Sequence, residues 1–412
     1  MQELLFLAHR LPYPPNKGDK IRSYHLLRHL AREHRVHVGS FIDDPDDRAH
    51  LSALRQMAGG EVYAPPLSPR WSRLRSLGGL LNGRACTEVY YAHRGMAAWV
   101  QGLLRGGSVR RAVVFSSAMA QYLIAAQGLR RVLDLVDVDS EKWRAYAAAR
   151  SGPAAWFYRR EADRLLEVER RAAAEFDATV LVSPAEADLF RRCAPQVADR
   201  VSAVSNGVDA AYFDPAAPGA DPYHGAGAQV VVFTGAMDYQ PNAEAVLWFA
   251  AEVLPRVQSV LPDVRFCVVG RNPGRAVRHL SNCPAVTVTG TVPDVRPYLA
   301  HAAVAVAPLQ LARGVQNKVL EAMAMARPVV ASPQALEGLS VKVPAEALMA
   351  ADAAQFADRV LACLRGEMAH LGVAARRAVL REYSWAARLQ GLDALLDPSA
   401  VGRASMAGVR EA

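Results

Sequence analysis

The chain has 412 residues, a length that exceeds one ordinary hydrophobic core and predicts two domains. Half of the residues are hydrophobic and a fifth are charged, which excludes a disordered or fibrous protein. The five cysteines are scattered and form no C-x-x-C pair, so we expect neither a zinc site nor a disulfide framework, and a reducing cytosol fits.

The net charge of +8 is carried by the first half of the chain. Residues 1–206 hold 30 Lys and Arg against 22 Asp and Glu, whereas the remainder holds 18 of each. A basic N-terminal half indicates an anionic partner, such as a membrane surface or a phospholipid-linked acceptor. An arginine-rich composition inherited from a GC-rich genome explains the excess equally well. No nucleic-acid partner is expected, because no recognised module groups the basic and aromatic residues.

The N-terminus contains one short apolar run, Leu4–Ala8. This run is too short for a signal peptide and predicts the first buried strand. No stretch approaches the roughly 18 apolar residues of a membrane span. We therefore expect a cytoplasmic protein that is not integral to a membrane.

Apolar strands alternate with amphipathic helices along the chain, a pattern that predicts parallel sheets in an α/β fold. The predicted strands of the first half are Leu4–Ala8, Val36–Phe41, Ala112–Phe115, Arg131–Val136 and Thr179–Val182. Those of the second half are Val230–Thr234, Arg265–Val269, Val286–Thr289, Ala303–Ala307 and Val329–Ala331. The predicted helices include Lys20–Glu33, Asn242–Val253 and Val315–Met325. A domain boundary is expected near residue 203, beside the Pro- and Gly-rich stretch Asp214–Gly227.

The segment Ala312–Val330 carries the most specific signal of the chain. Its only acidic residue, Glu321, lies on an apolar helical run, where a carboxylate is costly to bury without partners. Arg313, Asn317 and Glu321 are four residues apart and share one helix face. A helix N-terminus flanked by Arg313 and Lys318 is a natural phosphate site, and Glu321 could accept ribose hydroxyls. The segment therefore predicts a nucleotide-diphosphate site.

This segment resembles the signature of the retaining GT-B glycosyltransferases of family 4, E-G-x-x-x-K-x-x-E-A-M-A-x-G-x-P-V-V. Ser205–Asp209 is similar to the family's P-N-G-V-D turn, and residues 290–299 are similar to its base-binding loop, which would place Val292 near the base. Within the family, Phe233–Phe249 and Asp134–Trp143 resemble the sugar transferases associated with PEP-CTERM/exosortase exopolysaccharide systems.

The resemblance implies a GT-B fold, in which two doubly wound Rossmann-like domains face a cleft. Residues 1–202 would bind the acceptor, residues 203–380 would bind the nucleotide-sugar, and residues 381–412 would hold a helix, Trp385–Leu396, that crosses back to the first domain. The implied reaction moves a sugar from a nucleotide-diphosphate sugar to a hydroxyl of a glycan or lipid-linked acceptor, with retention. No metal or other cofactor is expected, and the implied location is the cytoplasm or the inner face of the plasma membrane.

Residues of the second domain can be matched to the family motif one by one. Glu321 resembles the second Glu of the E-x7-E motif, which holds the ribose, and Lys318 matches the basic position that stabilises the leaving diphosphate. Arg313 replaces the first Glu; it cannot accept hydrogen bonds, so it would either stabilise the diphosphate or lie exposed. Gly314 and Val315 would offer backbone N–H groups to the sugar or phosphate.

The loop that begins at Gly235 is a further predicted part of the substrate site. Relatives carry an Arg-x4-Lys pair here, whereas Gly235–Asn242 contains no basic residue. Arg271 is the candidate for the missing charge, with a solvated loop arginine as the alternative. Asn242 is expected to cap the following helix. Ala326, where the family has Gly, is interpreted as a packing variation.

In the first domain, residues 13–20 resemble the family's P-P-x-x-G-G loop, with Lys17 where the first Gly would be. Gly18 and the adjacent helix N-terminus are expected to face the donor phosphates. Trp156–Arg160 opens a basic helix that would either lie on a bilayer or, as we prefer, pack as an ordinary amphipathic helix.

Asp137 has two interpretations. With Asp139 it forms a D-x-D motif, which holds a metal in GT-A glycosyltransferases, although the GT-B-like segments oppose that assignment. Alternatively, Asp137 lies in the acceptor cleft and orients the acceptor hydroxyl or contacts the sugar. Either Asp139 or Ser140 is expected to cap the next helix.

Two other functions stay open. A GT-B-fold epimerase would convert the nucleotide-sugar without an acceptor. A non-catalytic pseudo-enzyme would bind the nucleotide-sugar and explain the arginine at position 313.

Overall fold

The computed structural model describes residues 2–15, 18–148, 150–224, 229–312, 315–337, 339 and 349–397. The chain forms two compact units, Met1–Asn206 with Arg388–Ala412, and Gly207–Ala387. Both units are parallel sheets with helices, which confirms the predicted α/β class. No described helix is long and apolar enough to span a bilayer.

The described part of the first unit contains a seven-stranded parallel sheet. Its strands are β1 Gln2–Ala8, β2 His34–Gly39, β3 Gly59–Tyr63, β4 Val109–Phe115, β5 Arg130–Val136, β6 Ala178–Leu181 and β7 Val201–Ala203. Their order in the sheet is β3-β2-β1-β4-β5-β6-β7. The central strand β1 pairs with both β2 and β4, and its residues from Leu4 to Ala8 are fully buried, as expected of a strand covered on both faces.

Helices cover this sheet. They are α1 Gly18–Leu30, α2 Leu51–Ala58, α3 Pro69–Ser76, α4 Gly78–Asn82, α5 Cys86–Tyr90, α6 Arg94–Arg105, α7 Asp139–Ala148, α8 Gly152–Glu175 and α9 Pro184–Cys193. Short 3₁₀ helices lie at Pro45–His50, Ser117–Tyr122 and Pro195–Arg200. The interior face of α8 buries Leu165 and Val168, which confirms its prediction as an amphipathic helix packed on the unit.

The described part of the second unit contains a five-stranded parallel sheet. Its strands are β8 Val230–Thr234, β9 Arg265–Val269, β10 Val286–Gly290, β11 Val304–Ala307 and β12 Val329–Ala331, in the order β10-β9-β8-β11-β12. Its helices are α10 Gln240–Trp248, α11 Leu254–Gln258, α12 Arg275–His279, α13 Arg296–His301, α14 Asn317–Ala324, α15 Pro333–Leu336, α16 Ala353–Leu364 and α17 Ala369–Glu382. Chain order reverses direction in the sheet between β8 and β11, the position where doubly wound folds bind ligands.

Helices α10 and α11 are joined by a π-helical turn, Phe249–Val253, in which the N–H of Leu254 donates to the carbonyl of Phe249. Pro255 follows at once and has no N–H to donate. The wider turn absorbs the break that the proline imposes on the helix. The predicted helix Asn242–Val253 therefore ends as a regular α-helix at Trp248.

The last helix, α18 Trp385–Leu396, begins in the second unit and continues into the first. There Arg111 donates to the carbonyl of Leu396 at 3.1 Å and to the Asp397 carboxylate at 2.8 Å. Arg130 donates to the carbonyl of Leu395 at 2.9 Å. Two arginines thus satisfy carbonyls that the helix leaves unpaired at its C-terminus.

Candidate active site

A cleft of about 530 Å³ lies at the carboxyl ends of the strands of the second unit. It is bordered by Thr234 at the end of β8, by Val269 at the end of β9, and by the start of α14. This is the edge of the sheet at which the strand order reverses. Seven predicted site residues line it: Gly235, Arg271, Val292, Val315, Asn317, Lys318 and Glu321.

The remaining predicted residues are not in this cleft. Lys17, Arg313 and Gly314 lie outside the described residues. Gly18 begins α1 and Asp137 follows β5, both in the first unit. The roles predicted for all of these residues stay predictions.

Helix α14 presents its N-terminus to the cleft. It begins at Asn317, two residues later than predicted, and its N-cap residue Gln316 makes no side-chain capping hydrogen bond. The first N–H groups of a helix have no intrahelical acceptor, so this end attracts an anion. Val319 and Met323 are buried on the opposite side. The sequence therefore places an apolar face on the core and a polar N-terminus at the cleft.

The C-terminus of α14 gives a physical reason for the family's glycine. Ala326 has φ 54°, in the left-handed region. Its N–H donates to the carbonyl of Met323, and the N–H of Arg327 donates to that of Ala322, both at 3.0 Å. These are the two bonds of a Schellman motif, whose left-handed position favours glycine. The interpretation of Ala326 as a packing variation was wrong, because it is the left-handed backbone conformation at this position that favours glycine.

Lys318 is a half-buried cation of the cleft. Its Nζ donates to Oδ1 of Asn242 at 2.6 Å and lies 5.2 Å from the centroid of the Phe233 ring. Burial lowers the pKa of Lys318 to about 8, although the neighbouring Glu321 charge acts in the opposite direction. An amide oxygen and a ring face neutralise an ammonium less completely than a carboxylate would.

Asn242 positions that lysine, a role that the sequence did not indicate. The prediction that it caps its helix was wrong, because it is the third residue of α10, whose N-cap is Tyr239. Its side chain is buried, donates to the carbonyl of Ala236 at 2.8 Å and accepts from Lys318. Polar residues near a helix start usually cap it, so only the tertiary contact with α14 distinguishes this one.

Glu321 is the second titratable group of the cleft. Burial raises its pKa to about 7, and the charge of Lys318 only partly opposes this. Among the described residues, no hydrogen bond reaches its carboxylate. A carboxyl group that is half-ionised near neutral pH can both accept and donate hydrogen bonds, which suits a partner with hydroxyl groups.

Two glycines let the cleft's loops approach closely. A Cβ on Gly270 would lie 1.6 Å from the carbonyl oxygen of Gly235. A Cβ on Gly235 would lie 2.8 Å from Nδ2 of Asn242. Any larger residue at either position would displace the loop or the amide that holds Lys318.

Arg271 is exposed at the edge of the cleft. Its backbone carbonyl accepts from the N–H of Met237 at 2.8 Å, which ties the loops after β8 and β9 together. The hydrogen bond from Asn272 lowers the pKa of Asp238, and the Arg271 charge adds to that effect. Arg271 is therefore placed where it could contact a phosphate, the role predicted for it.

The loop around Asp137 in the first unit is organised by a lysine. Nζ of Lys142 lies 2.7 Å from Asp137 and 3.0 Å from Asp139. The ammonium thus stands between the two carboxylates of the D-x-D sequence, where a metal motif would need its cation. The described residues contain no group of three or more His, Cys, Asp or Glu side chains arranged to hold a metal.

The cap of helix α7 comes from a different helix. The N–H and hydroxyl of Ser140 both donate to Glu169 of α8, at 3.1 and 2.6 Å. The N–H of Val138 donates to Glu186 at 2.8 Å. The prediction that Asp139 or Ser140 caps the helix was wrong. Glu169 is fully buried, and burial raises its pKa to about 8.

Backbone strain marks the same loop. Val136 has φ 68°, a conformation that β-branched residues rarely adopt. Its N–H donates to Oδ1 of Asp134 at 3.0 Å, and Asp134 also accepts from Nε of Arg22 at 2.9 Å. This buried ion pair holds the strained residue next to Asp137, and such strain clusters at functional positions.

Comparisons with known proteins agree with this geometry. Residues 228–366 match the family model described as glycosyl transferases group 1. No curated protein matches the chain. Solved structures resemble nearly all of it. The Anabaena protein Alr3699/HepE in complex with UDP is 15% identical, with 97% of this chain and 100% of that chain covered and a TM-score of 0.62.

Two further structures are similar over the same length. Sucrose-phosphate synthase from Thermosynechococcus elongatus is 17% identical over 99% of this chain and 100% of its own, with a TM-score of 0.58. WaaG, a glycosyltransferase involved in lipopolysaccharide biosynthesis, is 16% identical over 96% and 100%, with a TM-score of 0.59. The fold is therefore that of the GT-B enzymes. The match to the group 1 glycosyl transferase model spans a third of the chain and contains the whole cleft.

Proposed function

We propose that this enzyme transfers a sugar from a UDP-sugar to an acceptor hydroxyl with retention of configuration. The observation that carries the proposal is that Lys318 and the N-terminus of α14 line one cleft. An ammonium beside free N–H groups stabilises the charge that develops on a leaving diphosphate. The choice of uridine is supported by the Anabaena protein, whose structures hold UDP, UDP with glucose, and UDP-glucose.

The other residues of the cleft take the remaining parts of the donor. Glu321 would hold the ribose hydroxyls, because its half-ionised carboxyl can accept and donate. Val292 would lie against the base, and Arg271 would add a second positive charge at the diphosphate. The backbone N–H of Val315 and the side chain of Asn317 would contact the phosphate or sugar. These fixed charges supply the stabilisation that a divalent metal gives other transferases.

The acceptor would bind to the first unit near Asp137 and the strained Val136. We propose a glycan or a lipid-linked acceptor in exopolysaccharide or lipid-linked glycan biosynthesis, at the inner face of the plasma membrane. The basic charge of residues 1–206 supports an anionic acceptor or surface. The likeness of Phe233–Phe249 and Asp134–Trp143 to the PEP-CTERM-associated transferases supports the exopolysaccharide role.

Product analysis tests the proposal. The protein is incubated with ¹³C-labelled UDP-sugars, with and without a bacterial lipid extract, and followed by NMR. We expect UDP release and an α-configured sugar from an α-configured donor. Conversion to an epimeric UDP-sugar would contradict the proposal in favour of an epimerase. No turnover of any UDP-sugar with lipid extract would favour a non-catalytic binder.

A further inference from the structure

Helix α3 and the turn into α4 bury small residues and expose large apolar ones. The side that faces the first unit carries small residues, with Ser72, Ser76 and Gly79 buried. The outer side carries large apolar residues: Trp71 is 73% exposed, Leu74 60%, Leu77 49% and Leu81 93%. A helix at the surface of a soluble domain normally has the reverse arrangement. We call these four residues the apolar face.

Burial of the small residues follows from close packing. A Cβ on Gly79 would lie 3.0 Å from the carbonyl oxygen of Arg84, so the backbone of α4 approaches its neighbour directly. Arg160 of α8 donates to the carbonyl of Gly79 at 2.6 Å and to that of Arg84 at 3.3 Å. The segment is thus fixed on the unit with its large side chains outward.

Positive charge dominates the surroundings of the apolar face. Arg70, Arg73, Arg75 and Arg84 lie in residues 62–87, a stretch without a single Asp or Glu. All four arginines are exposed, and Arg84 alone of them has an ion-pair partner among the described residues, Glu88 at 3.1 Å. Trp156 of α8, 59% exposed, lies one helical turn before Arg160, which contacts this segment. An apolar face with Trp and Leu, flanked by the exposed arginines Arg70, Arg73 and Arg75, complements the surface of an anionic bilayer.

We propose that residues 69–84, with Trp156, form a membrane-binding surface that inserts the apolar face into an anionic lipid bilayer. Trp and Leu enter the interfacial region, and the arginines pair with lipid phosphates. This proposal rests on the part of the proposed function that brings the first unit to a membrane. It does not depend on the donor chemistry of the second unit.

Vesicle flotation tests the surface. The full chain is mixed with vesicles of phosphatidylcholine alone, or with about 30% phosphatidylglycerol, at 0.1 M and 1 M salt. We expect binding to the anionic vesicles at low salt that weakens at high salt. The triple variant Trp71→Ser, Leu74→Ser, Leu81→Ser should reduce the partition coefficient at least about tenfold. The variant Arg70→Gln, Arg73→Gln should remove the preference for anionic lipid.

Matched controls come from the second unit. Val260→Ser, Val373→Ser, Leu380→Ser removes three exposed apolar side chains, and Arg365→Gln, Arg377→Gln removes two exposed charges. Both controls should bind as wild type, with melting temperatures showing that every variant is folded. The proposal is overturned if wild type stays in solution with anionic vesicles, or if the controls lose binding equally. It is also overturned if the triple variant only converts a dimer to a monomer in ultracentrifugation. UDP binding, measured on the same samples, reports the donor site independently.

Discussion

Two lysines, one buried in the first unit and one half-buried in the second, show how structural and ligand-binding charges differ. Lys20 of α1 donates to both oxygens of Asp47, at 2.8 and 2.7 Å, and both side chains are buried. Among the described residues, the Lys318 ammonium donates to an amide oxygen and lies over the Phe233 ring, and the nearby Glu321 accepts no hydrogen bond. The first lysine is fully paired within the protein, whereas the second retains hydrogen-bonding capacity at a cleft.

The same contrast holds for two glutamates. Glu161 of α8 accepts from the N–H groups of Cys86 and Thr87 and from the Thr87 hydroxyl, each at 2.8 Å. It thereby caps α5. Within the part of the chain that the structure describes, Glu321 has no such donors, and burial raises its pKa to about 7. Burial alone therefore does not indicate a functional charge; the incomplete set of partners does.

The largest expected effect comes from breaking the structural pair. Asp47→Ala leaves the Lys20 ammonium buried without a counter-charge, which should lower the free energy of unfolding by about 3–5 kcal/mol. Denaturant titration measures it. The control Asp188→Ala, which removes an exposed pair with Arg191, should cost less than about 1 kcal/mol. Equal losses of unfolding free energy in Asp47→Ala and Asp188→Ala would contradict a special structural role for the Lys20–Asp47 pair.

Lys318→Met should weaken UDP binding without lowering the free energy of unfolding. The variant removes a charge-assisted contact to the diphosphate, so UDP affinity should fall by about 1.5–3 kcal/mol. The free energy of unfolding should stay unchanged or rise, because a poorly paired, half-buried ammonium is removed. Lys142→Met is the matched control and should leave UDP affinity unchanged. A variant that unfolds more easily while binding UDP normally would make Lys318 a structural residue.

Glu321→Ala should weaken UDP binding by about 1–3 kcal/mol, since the ribose hydroxyls lose their partner. Uridine, compared with its 2′,3′-dideoxy analogue, sharpens the test. The analogue should bind wild type and variant equally, whereas uridine should prefer wild type. Glu244→Ala, on the exposed side of α10, is the control. Calorimetry that finds equal UDP affinity for Glu321→Ala and wild type would remove this residue from the site.

The pKa of Lys318 predicts the pH dependence of binding. The diphosphate needs the charged ammonium, and the pKa of about 8 in the free protein means that the charge is lost as pH rises. UDP affinity should therefore fall about tenfold from pH 7 to pH 9. Asn242→Asp places a carboxylate beside the ammonium, raises its pKa and should flatten this fall. The same slope in Lys318→Arg as in wild type would assign the titration to another group.

The smallest expected effect concerns the end of α14. Ala326→Gly relieves a left-handed alanine and should raise the free energy of unfolding by about 0.5–1 kcal/mol. UDP affinity should not change, because the residue lies outside the cleft lining. Ala324→Gly, inside the same helix, should destabilise instead. Loss of stability in Ala326→Gly would mean that the alanine methyl contributes packing that outweighs the strain.

The sequence predicted the apolar strands well, and their bounds mostly differ by one to three residues from those observed. It missed β3 and β7. Gly59–Tyr63 has two glycines and an edge position with partial exposure, and Val201–Ala203 has only three residues. Neither carries the continuous buried run that marks a central strand.

At the site, the sequence grouped Lys318 and Glu321 at the start of one helix, and the structure brings both to the same cleft. Their roles stay predictions. Asn242, Gly270 and Glu169 could not be assigned from local pattern. Each acts across a tertiary contact. Asn242 contacts Lys318 of α14, Gly270 lies against the backbone of Gly235, and Glu169 accepts from Ser140 at the start of α7. Such contacts depend on which loops meet, and a single sequence does not specify that pairing.

Calorimetric titration of UDP, GDP and ADP, each with and without EDTA, tests the central claim most directly when wild type is compared with Lys318→Met. We expect UDP to bind wild type equally with and without EDTA, more tightly than GDP or ADP, and to bind Lys318→Met at least about tenfold more weakly. UDP binding that vanishes with EDTA would instead point to Asp137 and Asp139 as metal ligands. Absence of binding by all three nucleotides, or equal binding to both proteins, would contradict a donor site built on the charge of Lys318.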